Sequence, residues 1–94
     1  MYTVTIHHHC KVWYRGDLED EFKLIQSENF KTRKRAKEWI ESKITRGHEI
    51  VRHYRKGDLP SIVVEYTGET WQHENSGEIM YEYYQYTLKK TKVR

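Results

Sequence analysis

Four consecutive residues near the amino terminus are of types that ligate metal ions: His7, His8, His9 and Cys10. In a β-strand, His7 and His9 would point to one face about 7 Å apart and could share an ion, whereas His8 and Cys10 would point to the other face. A structural zinc site needs four ligands in a tetrahedral set, and neither face of such a strand offers four. We therefore predict no metal centre and no cofactor, with His7 and His9 as the residual candidate ligands.

The chain also lacks the sequence patterns of the common catalytic sites. No Gly-rich phosphate loop, H-E-x-x-H or G-x-S-x-G occurs in it. Cys10 beside a histidine could form a nucleophile pair, but a core-facing thiol is the usual case. Because Cys10 is the only cysteine, no internal disulfide can form. We predict a protein that is not an enzyme.

Positive charge is concentrated at the start of a predicted helix over residues 32–46, with Thr32 as its N-cap and Gly47 after its carboxyl end. The helix macrodipole makes the amino-terminal end positive, so each cation there costs roughly a few tenths of a kcal/mol. Cations around free N–H groups attract phosphates, which predicts a surface for nucleic acid or an acidic protein partner. Its candidate residues are Lys31, Arg33, Lys34, Arg35, Lys37, Arg46, Arg52, Arg55 and Lys56.

The net charge of +3 hides an uneven distribution along the chain. Residues 1–30 have a net charge of −2, residues 31–56 of +7, residues 57–88 of −6 and residues 89–94 of +4. Charge runs are usually solvated faces, so one alternative is that the acidic turn at 17–21 neutralises the basic helix within the fold.

A second candidate surface is a tyrosine-rich hairpin whose loop is the Asn-Ser-Gly sequence at 75–77. Aromatic rings give large contact areas at low entropic cost, as in protein interfaces, and the nearby acids would repel phosphate. The alternative is that Tyr66, Tyr84 and Tyr86 belong to the core of a chain with few leucines. The candidate protein-contact residues are Trp71, Glu74, Glu78, Tyr81 and Tyr83.

The elements that must position these residues follow from hydrophobic periodicity. Residues 2–14 alternate with period two, which predicts a half-buried strand, and residues 20–27 predict its return after a turn. In the helix, Ala36, Trp39, Ile40 and Ile44 form one apolar stripe.

Three more strands are predicted at 48–56, 62–67 and 78–88. In the last hairpin we expect Tyr66 to face Tyr86, with a change of face at Gly68. The predicted fold is α+β, in the order ββαβββ: an antiparallel sheet with a single amphipathic helix packed on one face. The chain is expected to be a single domain over residues 1–94, with a basic tail at 89–94 that can be disordered.

The functional expectation follows from these two surfaces. No segment is apolar enough to span a membrane, and no signal peptide precedes the domain, so we expect a cytoplasmic protein with no membrane partner. In size and composition the chain resembles accessory proteins of phages and mobile elements. That resemblance implies a non-enzymatic binding protein that modulates or inhibits a nucleic-acid-handling protein or nucleoprotein complex of a host cell. The alternatives are a direct nucleic-acid-binding module that uses helix 32–46, and a homo-oligomeric structural protein such as a homodimer.

Overall fold

In a computed structural model of the chain, the alternating segment at the amino terminus forms strand β1, Tyr2–Tyr14, within the predicted bounds. The structure describes residues 1–14, 17–57, 59–67, 71–73 and 78–91, and among these it describes no side chains at 12–14, 17–19, 71–73 and 78–81. The other elements are β2 Asp17–Phe30, α1 Arg33–Lys43, β3 Glu49–His53, β4 Ser61–Tyr66, β5 Trp71–His73 and β6 Glu78–Lys90.

All strand pairs are antiparallel, and the order across the sheet is β2-β1-β6-β4-β3, with β5 also paired to β6. One helix packs on this sheet, so the predicted α+β class is confirmed. The two long strands β1 and β6 form its centre, where Val4 pairs with Leu88 and Ile6 pairs with Tyr86.

The helix covers one face of the sheet near the start of β1. Ala36 and Ile40 are fully buried and contribute to a core with Val4, Ile6, Val63, Tyr86 and Leu88. As predicted, Thr32 is the N-cap: its hydroxyl accepts a hydrogen bond from the Arg35 N–H at 3.2 Å. The helix ends at Lys43, earlier than predicted, because Ile44 is already extended.

The predicted register of the last hairpin is wrong. Tyr66 faces Tyr83 instead of Tyr86, a shift of an odd number of residues. Such a shift turns each side chain to the other face, so Val63 and Glu65 are buried on the face where Tyr66 was expected. The registers of β4 and β5 along β6 differ by two residues, whereas the prediction extended one register over both. Gly68 lies outside the described residues.

The two ends of the chain are more ordered than the prediction of a basic tail allowed. Lys89 and Lys90 continue β6 and pair with Thr3 and Tyr2. The Thr91 N–H donates to the Met1 carbonyl at 2.8 Å. The prediction of a disordered tail is therefore wrong for residues 89–90, and residues 92–94 lie outside the described residues.

The outer strand β2 is longer than predicted and contains a β-bulge. Ile6 pairs with Gln26 and His7 with Leu24, which leaves Ile25 as an extra residue. Before the bulge, Phe22 and Leu24 lie on the side of the sheet opposite α1, which we call the open face.

Candidate functional site

Basic residues from three separate segments meet at one end of the sheet. Phe30 pairs with Tyr2, and Tyr2 pairs with Lys90, so the start of α1 and the end of β6 are neighbours. Arg33 joins the segment after β3 to this group through the Arg55 carbonyl. We call this set the basic end: Lys31, Arg33, Lys34, Arg35, Lys37, Arg55, Lys56, Lys89 and Lys90.

Arg33 has a positioning role within the basic end. Its guanidinium donates to the carbonyl of Arg55 and, at 3.3 Å, to the hydroxyl of Ser61. The same Ser61 hydroxyl accepts from the Arg55 N–H at 2.8 Å. Because Ser61 is buried, these bonds fix the segment after β3 against the first turn of the helix.

A second set of contacts fixes the flank of the helix that faces the end of β3. The Lys37 ammonium lies 4.4 Å from the centre of the Tyr54 ring, a cation–π contact. Glu41 accepts two hydrogen bonds from Arg52 and one from the Tyr54 hydroxyl, all at 2.8 Å. The bonds from Arg52 lower the pKa of Glu41. Arg52 is thus paired with Glu41, and its predicted role in binding stays a prediction.

The remaining cations of the basic end are exposed to solvent. They are Lys31, Lys34, Arg35, Arg55, Lys56, Lys89 and Lys90. Among the described residues none of these seven is in an ion pair. A surface groove of about 560 Å³ along the helix is lined by Arg33, Lys34, Lys37, Glu38 and Glu41. The basic end therefore combines an ordered scaffold with cations that no described acidic residue pairs with.

Arg46 is separated from this group. It follows the carboxyl end of α1, and the 11 residues of the helix span about 16 Å. The structure therefore does not bring Arg46 together with the cations at the helix start, although the sequence analysis included it.

The acidic turn does not neutralise the basic end. Residues 17–21 pair with residues 10–14, whereas the helix starts beside Tyr2 at the opposite end of β1. The eight steps along the strand from Tyr2 to Cys10 span about 26 Å. This exceeds the Debye length of about 8 Å at physiological ionic strength, so the alternative of internal neutralisation is not supported.

His7 and His9 share the open face as predicted, but their surroundings do not suit a metal ion. The His9 Nε2–H donates to the Asp20 carboxylate, and Nδ1 is hydrogen-bonded to the Tyr83 hydroxyl. The ring of Phe22 stacks on His7, with centroids 4.5 Å apart. Both nitrogens of His9 are thus occupied. Within the described part of the chain, no group of three or more His, Cys, Asp or Glu side chains could hold a metal ion.

The Cys10 thiol is in an environment that disfavours nucleophilic chemistry. Burial raises its pKa, and the charges of Glu82 and Glu21 raise it further, so the reactive thiolate is suppressed. His8 is directed to Glu82, to which its Nε2–H donates at 2.9 Å.

The tyrosines divide between the two faces of the sheet. Tyr86 is buried and Tyr84 packs against the core, as the core alternative predicted, whereas Tyr66 is 40% exposed. Tyr83 lies on the open face, 5.7 Å from the Tyr66 ring. The side chains of Trp71, Glu74, Glu78 and Tyr81 lie outside the described residues, so their predicted protein contacts stay predictions.

A buried carboxylate that was not predicted from the sequence lies at the far end of the helix. Glu65 is 2% exposed and accepts hydrogen bonds from three donors: the Thr45 N–H at 2.8 Å, His48 Nδ1 at 2.7 Å and the Tyr86 hydroxyl at 2.9 Å. Burial acts to raise the pKa of Glu65, but these hydrogen bonds outweigh it, and the pKa lies below its ordinary value. The even spacing of Ile62, Val64 and Tyr66 concealed this inward position.

Comparisons of the chain with protein-family models, with curated proteins and with solved structures find no match. Across the described residues, no helix has the length and apolar character needed to cross a membrane.

Proposed function

We propose that this protein is a non-enzymatic module that binds nucleic acid through its phosphate backbone, using the basic end. The observation that supports this most directly is the convergence of nine cations from three chain segments at one end of the sheet. Seven of these side chains are exposed and have no acidic partner among the described residues.

The first turn of the helix gives this proposal its physical argument. It contains no acidic residue, although acids there would stabilise the helix and cations destabilise it. Cations that cost stability and that no described acid compensates are expected where a ligand supplies the missing negative charge. Phosphate groups supply it, and the released counterions make their binding favourable.

The proposed recognition is of the backbone, because lysine and arginine contacts to phosphate position a protein without specifying sequence. Lys34 and Arg35 at the helix start, with Lys31 before it, would make the central contacts. Arg33 and Lys37 would hold the helix flank in place through Arg55 and Tyr54. We expect about five phosphate contacts, which makes binding steeply dependent on salt.

The test is fluorescence anisotropy with labelled 20-nucleotide single-stranded and duplex DNA at 50 and 200 mM salt. With about five phosphate contacts, affinity should fall by about 10²–10³-fold between the two conditions. The double variant Lys34→Glu/Arg35→Glu should bind at least about tenfold more weakly at 50 mM salt. Arg46→Glu is the matched control for the single reversals Lys34→Glu and Arg35→Glu: it changes the net charge by the same amount, but at the other end of the helix, and should have a much smaller effect than either.

Two results would contradict the proposal. One is an absence of binding at 50 mM salt; the other is an equal loss for Arg46→Glu and for either single reversal at the helix start, which would indicate a non-specific response to net charge. Binding of an acidic polypeptide in the absence of DNA binding would instead favour the accessory-factor role, with an acidic host protein at the same surface.

A further inference from the structure

Strand β2 is a long outer edge of the sheet. It has 14 residues, about 47 Å of strand, and it pairs through one side with β1. No described strand pairs with its other side. The opposite edge, β3, has only five residues, and Arg52 on it is tied to the helix through Glu41. Short and covered edges avoid association, whereas long open ones invite it.

The middle of this edge is exposed and apolar. Phe22, Leu24 and Ile25 are 52%, 53% and 50% exposed. Phe22 and Leu24 lie on the open face, and Ile25 is the bulge residue. These side chains are adjacent along one strand, and they lie next to backbone groups that the described fold leaves unpaired.

We propose that β2 is a dimerisation edge, at which a second copy of this chain adds its own β2 antiparallel to the first. The two-fold axis passes between the Phe22 residues of the two copies, perpendicular to the sheet. The two sheets then become continuous, with both helices on the same side. This proposal concerns self-association and is independent of the binding of nucleic acid.

The charges on β2 favour this register over the two registers centred on the neighbouring residues. The side chains of paired residues lie on the same face of a sheet. Because Phe22 and Leu24 lie on the open face, the open faces of the two copies are on the same side only if even-numbered residues of one β2 pair with even-numbered residues of the other. If the axis passed between the two Glu21 residues, their carboxylates would face each other, and if it passed between the two Lys23 residues, their ammonium groups would do so. Centring it on Phe22 places Lys23 opposite Glu21 of the second copy, and this occurs twice by symmetry.

The open face supports the same arrangement. Phe22 stacks on His7, and the rings of His9, Tyr83 and Tyr66 continue the row across the sheet. With Phe22 at the axis, the two rows join into one, and the two most exposed apolar positions of each edge become covered. Aromatic pairs of this kind stabilise cross-strand contacts.

The first test is sedimentation equilibrium over a range of protein concentrations, with charge reversal as the probe. Lys23→Glu and Glu21→Lys each create two like-charge pairs across the axis and should raise the dimer dissociation constant about tenfold or more. The double variant Lys23→Glu/Glu21→Lys restores opposite charges and should return to within roughly threefold of the original value. Both substituted positions are exposed, so folding of all three variants, checked by circular dichroism, should be retained.

The second test is disulfide trapping in a Cys10→Ser background. Phe22→Cys should cross-link rapidly under mild oxidation, because directly opposed residues have Cβ atoms about 4.5–5.5 Å apart. Ser27→Cys, exposed on the same strand, should not, because the two copies of residue 27 would lie about 33 Å apart. A monomer at several hundred micromolar, single and double charge variants that behave alike, or equal cross-linking at both positions would each overturn the proposal. Larger assemblies that dissociate in high salt would also overturn it, in favour of contacts between basic and acidic ends.

Discussion

At the scale of single residues, Glu65 is a buried side chain on which hydrogen bonds from three chain segments converge. It receives one hydrogen bond from the backbone just after α1, one from His48 before β3 and one from Tyr86 in the core. A carboxylate near the carboxyl end of a helix is unfavourable to the macrodipole. Its three donors compensate for that cost and tie the end of the helix to the sheet.

The lowered pKa of Glu65 predicts a loss of stability in acid. The unfolded chain takes up this proton near the ordinary pKa of 4.5, whereas the folded protein takes it up at a lower pH. The contribution is therefore complete above about pH 4.5 and is lost as pH falls through the folded value. Glu65→Gln should cost about 1–3 kcal/mol at pH 7 and flatten the acid decline, measured by urea unfolding from pH 7 to 3.

The control for this measurement is Glu38→Gln, because Glu38 is exposed on the helix and makes no ion pair with a described residue. It should change the free energy of unfolding by less than about 0.5 kcal/mol and keep the steep acid decline. If Glu65→Gln retained the full decline, other carboxylates would have to account for it.

At the scale of elements, the cations at the helix start are expected to lower the stability of the helix and to strengthen the binding of nucleic acid. Arg35 is the third residue after the N-cap Thr32, the position at which a Glu completes a capping box. Arg35→Glu should therefore raise the free energy of unfolding by about 0.5–1 kcal/mol while it weakens nucleic-acid binding. Urea unfolding and DNA anisotropy on the same variant test both halves, and a variant that is both less stable and weaker in binding would contradict the functional explanation of the cations.

The elements also show which features the sequence determines locally. The bounds of β1 and the Thr32 cap were predicted correctly, because alternation and capping depend on neighbours in the chain. The pairing of Tyr66 was predicted wrongly, because register depends on where distant strands meet. The inward position of Glu65 was not predicted for the same reason. The basic residues of the helix start were identified from sequence, whereas the position of Lys89 and Lys90 beside them depends on long-range pairing, because Tyr2 of β1 lies between Phe30 and Lys90.

At the scale of the whole molecule, charge and length are linked. The radius of gyration is 15.8 Å, against about 12 Å for a compact chain of this size, and the longest dimension is 53 Å. The cations converge at one end, whereas Asp20, Glu21 and Glu82 lie toward the other. The small net charge of +3 therefore hides a separation of these cations from these acids. In the proposed dimer, the basic ends would lie outermost, about 26 Å from the axis on each side.

The partial cover that the helix gives to the sheet also divides the molecule into regions of unequal resistance to local opening. Backbone amides of β1 at Val4 and Ile6 lie under α1 in the core, so their hydrogen exchange should require nearly global unfolding. Amides at His9 and Cys10, in the same strand but beyond the core cluster, should exchange through smaller fluctuations and lose protection first. Exchange measured by NMR at low protein concentration tests this gradient, and uniform protection along β1 would show that the strand opens as a single unit.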